Sequence, residues 1–505
     1  MTTGIKYIII LAFWAFYSIT AHGQARAPHS LYFMETIPQV SQLNPAHQPR
    51  ANVYVAFPML SGFGLDITSD IAFSDIFQKQ GNNYYTPIEN EFDYGKFYKS
   101  FGNAIAFRVG ADMDLFGFGF RTRGGYFSFG VSEHLSARFA VPKAFLQIID
   151  EGFPSPPPNS PPRKLDFSTM SIDGMAYMQF RLGYSYEVND KLTVGMNFKP
   201  IMGQFAAATK IDNFHLTTSR EAWTFEGDGK FYLSAPVQLE KDEDDNINVG
   251  DNRLDDVEGM DMINEFFNFN NSGIAFDIGA TYQINERLLV SAALNNIGFI
   301  SWKKDLSGVE YKGSYTYDAS KITVDLSEDN LNFDELLDEV SEEIEKGLTE
   351  QMGLIDRVDK FRTSPPPVFY AGASYQLTRA VSASLLSRTT FWKSGVHQSF
   401  NLSVNLQPYS FVALTTGATL QVRGNTYLGG GFTFFLGPLQ FYMLGDYIPA
   451  KITPVTLNVA DDSLEIPFLP MNQKTLTYRL GLNLVFGKHG YRDKPMLNKG
   501  ASSWN

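Results

Sequence analysis

The chain contains no cysteine, which excludes a disulfide framework, a cysteine metal cluster and the attachment thiol of a lipoprotein. Past its N-terminus it has no uninterrupted run of about 18 apolar residues, so no membrane helix is written into it. It is short of basic residues, with 41 Lys and Arg against 54 Asp and Glu and a net charge of -13. Nucleic acid, whose phosphates demand a basic surface, is not an expected partner. Catalytic signatures are missing as well: the seven His residues are scattered without H-E-x-x-H, and there is neither a nucleophile elbow nor a G-x-x-x-x-G-K-[ST] loop. Neither an enzyme nor a bound cofactor is expected, although a site assembled from distant strands leaves no such local trace.

What the chain has instead is aromatic side chains, 14% of 505 residues with 43 Phe and 25 Tyr. Hydrophobic residues make up 44%, yet mean hydropathy is only -0.16. Apolar character is therefore spread by alternation, and the stretch Gly273–Gly298 shows how. Ile274, Phe276, Ile278, Ala280, Tyr282 and Ile284 take every second position, with Ala275, Asp277, Gly279, Thr281 and Gln283 between them. Asn285-Glu286 reverses the chain, and Leu288, Val290, Ala292 and Leu294 resume the pattern. Period-2 alternation is a strand with one apolar face. Each arm runs about ten residues or more, longer than the five or six of soluble sheets and matched to a tilted membrane crossing of roughly 9–11. Apolar outside and polar or small inside is the pattern of an all-β transmembrane antiparallel β-barrel, whose aromatic girdles also use the Phe and Tyr.

The first 23 residues read as a secretory signal peptide: Lys6 precedes the apolar run Tyr7–Ala21, and Ala21 and Gly23 form an A-x-G site before Gln24. The competing reading, a membrane anchor helix, requires a longer run. Gln24–Arg50 carries Pro28, Pro38, Pro45 and Pro49 and is not strand-like, because proline donates nothing to a ladder. It is either a plug inside the lumen or a loose periplasmic tail.

The run Glu35–Ala46 (ETIPQVSQLNPA), followed by Val53–Pro58 and Ile71–Phe77, resembles the start of a poorly characterised family of exported outer-membrane barrels. More distantly it is similar to the long-chain fatty-acid transporter (FadL-like) superfamily and to the PorV-type barrels of a secretion apparatus. Gly273–Asp277 and Asn296–Gly298 are similar to strand patterns in those groups. The resemblance spans most of the mature chain, implies a barrel over residues 51–487, and makes Asn44, Pro45 and Ala46 a plug motif.

Downstream, Ala104–Asp112, Leu115–Arg121 and Tyr126–Val131 form either one long strand pair or three strands. Val141–Asp150 has helical character, and PSPPPNSPP at Pro154–Pro162 reads as a stiff surface loop. Strands are expected at Ala176–Val188, Leu192–Phe198, Val368–Leu377, Val381–Phe391, His397–Leu406, Val412–Val422, Tyr427–Leu436, Leu439–Tyr447 and Leu476–Phe486, with weaker ones at Ala206–Leu216 and Trp223–Ala235. Short turns alternate with long connections, which leaves both termini periplasmic and requires an even strand number, about 14 with 16 as the alternative. Residues 488–505 form a periplasmic tail.

The long connections hold the charge. In Glu240–Glu258 the spacing of Asp242, Asp244 and Asn246 suggests calcium, but Ile247 and Arg253 stand where an EF-hand needs glycine and glutamate, so a solvated acidic loop is the simpler reading. Phe333, Leu336, Leu337, Val340, Ile344, Leu348, Met352 and Ile355 share one face of a helix in Phe299–Pro367. That helix packs on the barrel rim, or serves as a lid or docking surface. Arg181, Asp277, Arg388, Asp446 and Arg479 lie on polar strand faces and should point into the lumen, where confined charge favours ion pairing. Two functions follow: uptake or passage of a hydrophobic small molecule through a plugged barrel, or a non-conducting subunit of an outer-membrane secretion or assembly complex.

Overall fold

A computed structural model of the chain describes residues 27–487 apart from 82, 88–90, 152–159, 242–246, 253–269, 320–342, 345, 349, 351, 356–357, 393–394, 423–425, 448–454, 460–461 and 467–472. The signal-peptide reading, the 488–505 tail, most of the proline run, most of the acidic loop and the first half of the expected helix lie outside the described residues.

A closed ring of 14 antiparallel strands forms the wall. In order they are β1 (Val53–Ala56 and Phe63–Ser69, interrupted), β2 (Ala104–Thr122), β3 (Gly125–Pro142), β4 (Ser171–Glu187), β5 (Leu192–Thr218), β6 (Ser272–Gln283), β7 (Leu288–Trp302), β8 (Val368–Gln376), β9 (Val381–Trp392), β10 (Gly395–Tyr409), β11 (Val412–Gln421), β12 (Thr426–Leu436), β13 (Leu439–Gly445) and β14 (Thr475–Phe486). Each pairs with its chain neighbour, and β14 closes the ring by pairing both with β13 and, through Val53↔Phe486 and Phe63↔Leu480, with β1. Closure leaves the wall no free edge, which is what a lipid environment demands of backbone hydrogen bonds.

Alternation places side chains as the sequence predicts. Along β4, Leu182, Tyr184 and Tyr186 are 42%, 45% and 50% exposed on the outside, while Arg181 and Ser185 are buried on the inside. This is a transmembrane β-barrel by the orientation of its wall, and the Gly273–Gly298 hairpin is its β6–β7 pair.

The structure departs from the sequence reading on one side of the ring. Leu192–Phe198 and Ala206–Leu216 are not separate strands but parts of β5, whose lower part pairs with β6 and whose upper part pairs with Ala222–Ser234. Ala222–Ser234 is not in the wall; it pairs in turn with Leu306–Asp318, which continues upward from β7. Arg163–Asp166 and Met352–Leu354 border this sheet at its two edges. One face of this external extension is aromatic, with Trp223, Phe225 and Tyr317 packed among Leu165, Phe167 and Leu216 and covered by Ala144 of the helix Lys143–Glu151. Its other face is charged, with Lys230–Glu310 at 2.9 Å and Lys312–Asp228 at 3.8 Å. Ile344 and Leu348 do pack on the aromatic face, but Met352, expected on the same helix, begins a strand. Periodicity alone does not separate these cases, because the chain returns to a ladder within a turn of the helical pattern. One ambiguity also resolves: Ala104–Val131 belongs to one long pair, β2–β3; Ile71–Phe77 contains a four-residue helix, Phe73–Ile76.

Candidate functional site: the occupied lumen

Residues 27–51 lie inside the ring and are almost wholly buried. Two 3-10 helices, His29–Leu31 and Pro38–Gln42, give the segment its only regular structure. Proline explains this locally: Pro28 and Pro38 sit at the entrance of each helix, where their fixed φ is suited and no N–H is missed. Without a strand ladder, the segment's carbonyls need other donors, and luminal side chains supply them. Asn295 donates to the carbonyls of Gln42 and Leu43 at 3.1 and 2.9 Å, Asn197 to Ser41 at 3.3 Å, Gln440 to Thr36 at 2.6 Å, Arg388 to Ala27 at 2.9 Å and Arg121 to Pro49 at 2.6 Å. Leu31, Met34, Ile37 and Val40 are also buried, each contributing about 2 kcal/mol when fully removed from water. The segment is thus seated by apolar burial and oriented by polar contacts.

Asn44 is fully buried. Its amide donates to the Tyr32 hydroxyl at 3.0 Å and its carbonyl oxygen accepts from Ala46 N–H at 2.9 Å. The Asn44-Pro45 corner rests on Gly279 and Gly195: a Cβ at Gly279 would overlap the Asn44 side chain, and one at Gly195 would overlap the Pro45 carbonyl. Burial pushes the Tyr32 phenol up to about 12, ahead of its hydrogen bonds to Ser291 and Asn44, which act the other way.

The five charges predicted to face the lumen are all buried. Asp277 pairs with Lys199 at 2.7 Å, accepts from Asn197 at 2.9 Å and from the backbone N–H of Asn296 at 2.8 Å, and so pins the bulge where the β6–β7 register shifts. Arg479 pairs with Asp112 at 2.7 Å and stands 3.6 Å from Asp114, whose carboxylate also accepts from Gln42. Asp446 holds the tip of the luminal segment, accepting from the backbone N–H of His29 at 2.8 Å and pairing with its ring, whose other nitrogen lies 2.8 Å from the Ser399 hydroxyl. Arg181 and Arg388 are different: among the described residues neither has a carboxylate at ion-pair distance, and they donate to the Ser128 hydroxyl and the Ala27 carbonyl. Sequence reasoning missed the partners Lys199, Asp112, Asp114 and His29, because strand register, not alternation, decides who meets whom.

Arg181, Arg388, Lys199 and Arg479 line the cavity that remains between segment and wall, about 80 Å³. Ligand pockets occupy roughly 300–1,000 Å³, so this cavity is too small to be one. The ladder of β1 is interrupted at residues 57–62. Phe57, Met59 and Leu60 turn out to the lipid side and Met59 takes φ 61°. Ser61 turns in, its carbonyl accepting from Gln39 at 2.9 Å and from the Tyr442 hydroxyl at 2.8 Å. A residue of the luminal segment therefore holds the edge of the break.

Residues 45–446 match the profile of a family described as a family of unknown function (DUF5723). No curated protein matches the chain. Among solved structures, the chain is similar to the toluene transporter TbuX of Ralstonia pickettii, with TM-score 0.41 and 12% identity over 89% of this chain and 94% of that one. It is similar also to the toluene transporter TodX of Pseudomonas putida (TM-score 0.37, 8% identity, 93% and 100% covered) and to a FadL homologue of Pseudomonas aeruginosa (TM-score 0.40, 12% identity, 93% and 99% covered).

Proposed function

The chain belongs to the DUF5723 family of unknown function, and we propose that it is an exported outer-membrane barrel that passes a hydrophobic small molecule once residues 27–51 shift. The observation that carries this reading is the Gln39–Ser61 contact: the segment that fills the lumen also supports the break in β1. Moving the segment removes support from a patch of wall whose outer side is Phe57, Met59 and Leu60. An apolar solute leaving there enters lipid without crossing an aqueous layer. Two of the similar structures are toluene transporters; the solute read for this chain is a hydrophobic small molecule.

The test is conductance and uptake of the full chain against a deletion of residues 24–50, each reconstituted in planar bilayers and in liposomes. A closed full-length barrel and an open deleted one support the reading. Equal conductance in the two would remove the segment from any gating role.

A second reading, a non-conducting subunit of a surface assembly, is supported by the external extension, which stands clear of the wall with one charged face. Purification in mild detergent separates the two. A stoichiometric hydrophobic small molecule favours passage, and a stoichiometric protein partner favours assembly.

A further inference from the structure

On the outside of the barrel, at the upper ends of β6 and β7 and beside Pro200 of β5, lies a groove of about 490 Å³. Pro200, Ile274 and Phe299 are its apolar lining, and Lys303, Lys360 and Arg362 are its cations. All three cations are exposed, and the Arg362 guanidinium sits 4.7 Å from the centre of the Phe299 ring. Among the described residues none of the three has a carboxylate at ion-pair distance. Three exposed cations on one spot stand out in a chain whose net charge is -13.

Height explains the place. The outward apolar positions of β6 run from Tyr282 near its periplasmic end up to Ile274, with Phe299 of β7 opposite Ile274. At about 3.3 Å per residue and a tilt near 40°, the steps from Tyr282 to Ile274 climb roughly 20 Å, most of the roughly 25 Å of a barrel's apolar band. Ile274 and Phe299 therefore sit at the top of the hydrocarbon layer, and Lys303, Lys360 and Arg362 lie just above it, at headgroup level.

We propose that this groove binds a membrane lipid of the outer leaflet, one that carries more than one phosphate on its headgroup. Its acyl chain lies against Pro200, Ile274 and Phe299, and its phosphates are held by the three cations. Arg362 is the orienting residue, since its planar fork suits phosphate while its stacking on Phe299 fixes its position. The occupant is set by complementarity: apolar below, cationic above, and open sideways to lipid. The site is outside the lumen and does not depend on how the lumen works.

The experiment uses the full chain in detergent, with native mass spectrometry of the lipid retained after adding diphosphorylated lipid A, its dephosphorylated form, or phosphatidylethanolamine. One diphosphorylated lipid per barrel should be retained in preference to the other two. The Lys303→Gln, Lys360→Gln, Arg362→Gln triple variant should weaken that retention by about 100-fold, at roughly one kcal/mol per surface cation. Lys303→Glu alone should give an intermediate loss, and heat-modifiable gel mobility verifies that each barrel is closed. Undiminished retention in the triple variant, or equal retention of phosphatidylethanolamine, overturns the proposal. So does displacement of the lipid by millimolar inorganic phosphate, which would make this a phosphate site and not a lipid one.

Discussion

Gly195 of β5 and Gly279 of β6 lie directly opposite each other, and the Asn44-Pro45 corner fills the notch that their missing side chains leave. Both glycines face the lumen, so the notch is a seat and not a lipid-side defect. Gly195→Ala should unseat the corner, because the group in its way is the Pro45 backbone, which cannot rotate aside. The expected outcome is frequent channel openings in planar bilayers with gel mobility and thermal stability of the barrel unchanged. Gly279→Ala meets a side chain first and should act more weakly. If neither variant opens more often than the unmodified chain, the corner is not what keeps the lumen shut.

The Asp277–Lys199 pair is wholly enclosed. Removing one partner leaves the other charge stranded, which costs about 3–5 kcal/mol, whereas replacing both with apolar groups is often near neutral. Asp277→Asn should accordingly lower the urea midpoint far more than Asp277→Leu combined with Lys199→Met. Equal losses in the two would show that the hydrogen bond to Asn296 at the bulge matters more than the charge.

Acid should loosen the luminal segment through His47. Its ring lies 5.0 Å from Tyr32 and 5.8 Å from Phe33 between centroids, and its Nδ1 is 4.0 Å from a Glu35 oxygen, with Arg50 on the same carboxylate at 3.7 Å. Burial outweighs Glu35 and brings His47 down to about 4 from an ordinary 6.5. A displaced segment with His47 in water takes up its proton near pH 6.5, while the seated one refuses it until about pH 4. Seating therefore weakens as pH falls through that window, by about 3 kcal/mol at its lower end. Openings should become more frequent between pH 6.5 and 4.5, and His47→Phe should flatten the profile. A profile unchanged by His47→Phe assigns the effect to another group.

The external extension should be separable from the wall. Trp223 is buried on its aromatic face with its ring 5.5 Å from that of Tyr317, and Trp223→Ala should cost the extension about 3–5 kcal/mol. Protease added outside intact vesicles should then cut between residues 219 and 318, while the rest of the barrel keeps its gel mobility. Loss of that mobility would mean that the extension and the wall fold as one unit.

Most of the wall was legible because a single rule, period-2 alternation, acts on every strand: the Gly273–Gly298 hairpin and the strands from Val368 to Phe486 fall within a few residues of their expected bounds. The same rule also finds the strands at Ala206–Leu216 and Trp223–Ala235 but not that they stand outside the wall, since alternation continues unchanged where a sheet leaves the membrane and packs on protein instead of lipid. Asp277 could be placed on an inward face, but its partner Lys199 sits on β5, about eighty positions earlier in the chain, and only register brings them together. Proline density marked residues 24–50 as something other than strand, without saying which wall residues receive them. Asn295 and Asn197, which do so, look in the sequence like any other polar residue on an inward face.

The unequal height of the ring has a consequence for traffic. From Gly203 to Thr218, β5 climbs roughly 40 Å above its last pair with β6 at the usual rise and tilt, whereas β9 and β10 are joined through residues 393–394 and β11 and β12 through 422–425. On the passage proposed above, the extension would be a backboard: a solute approaching that end would be screened on the β5–β7 side and would arrive over the β9–β12 rim. Ala27 and His29, the first residues of the luminal segment, are tied to Arg388 and Ser399 beneath that rim. The Ala27–His29 end of the luminal segment therefore lies on the side of the low rim, and its other end, at Asn52 against Phe486, lies at the opposite mouth.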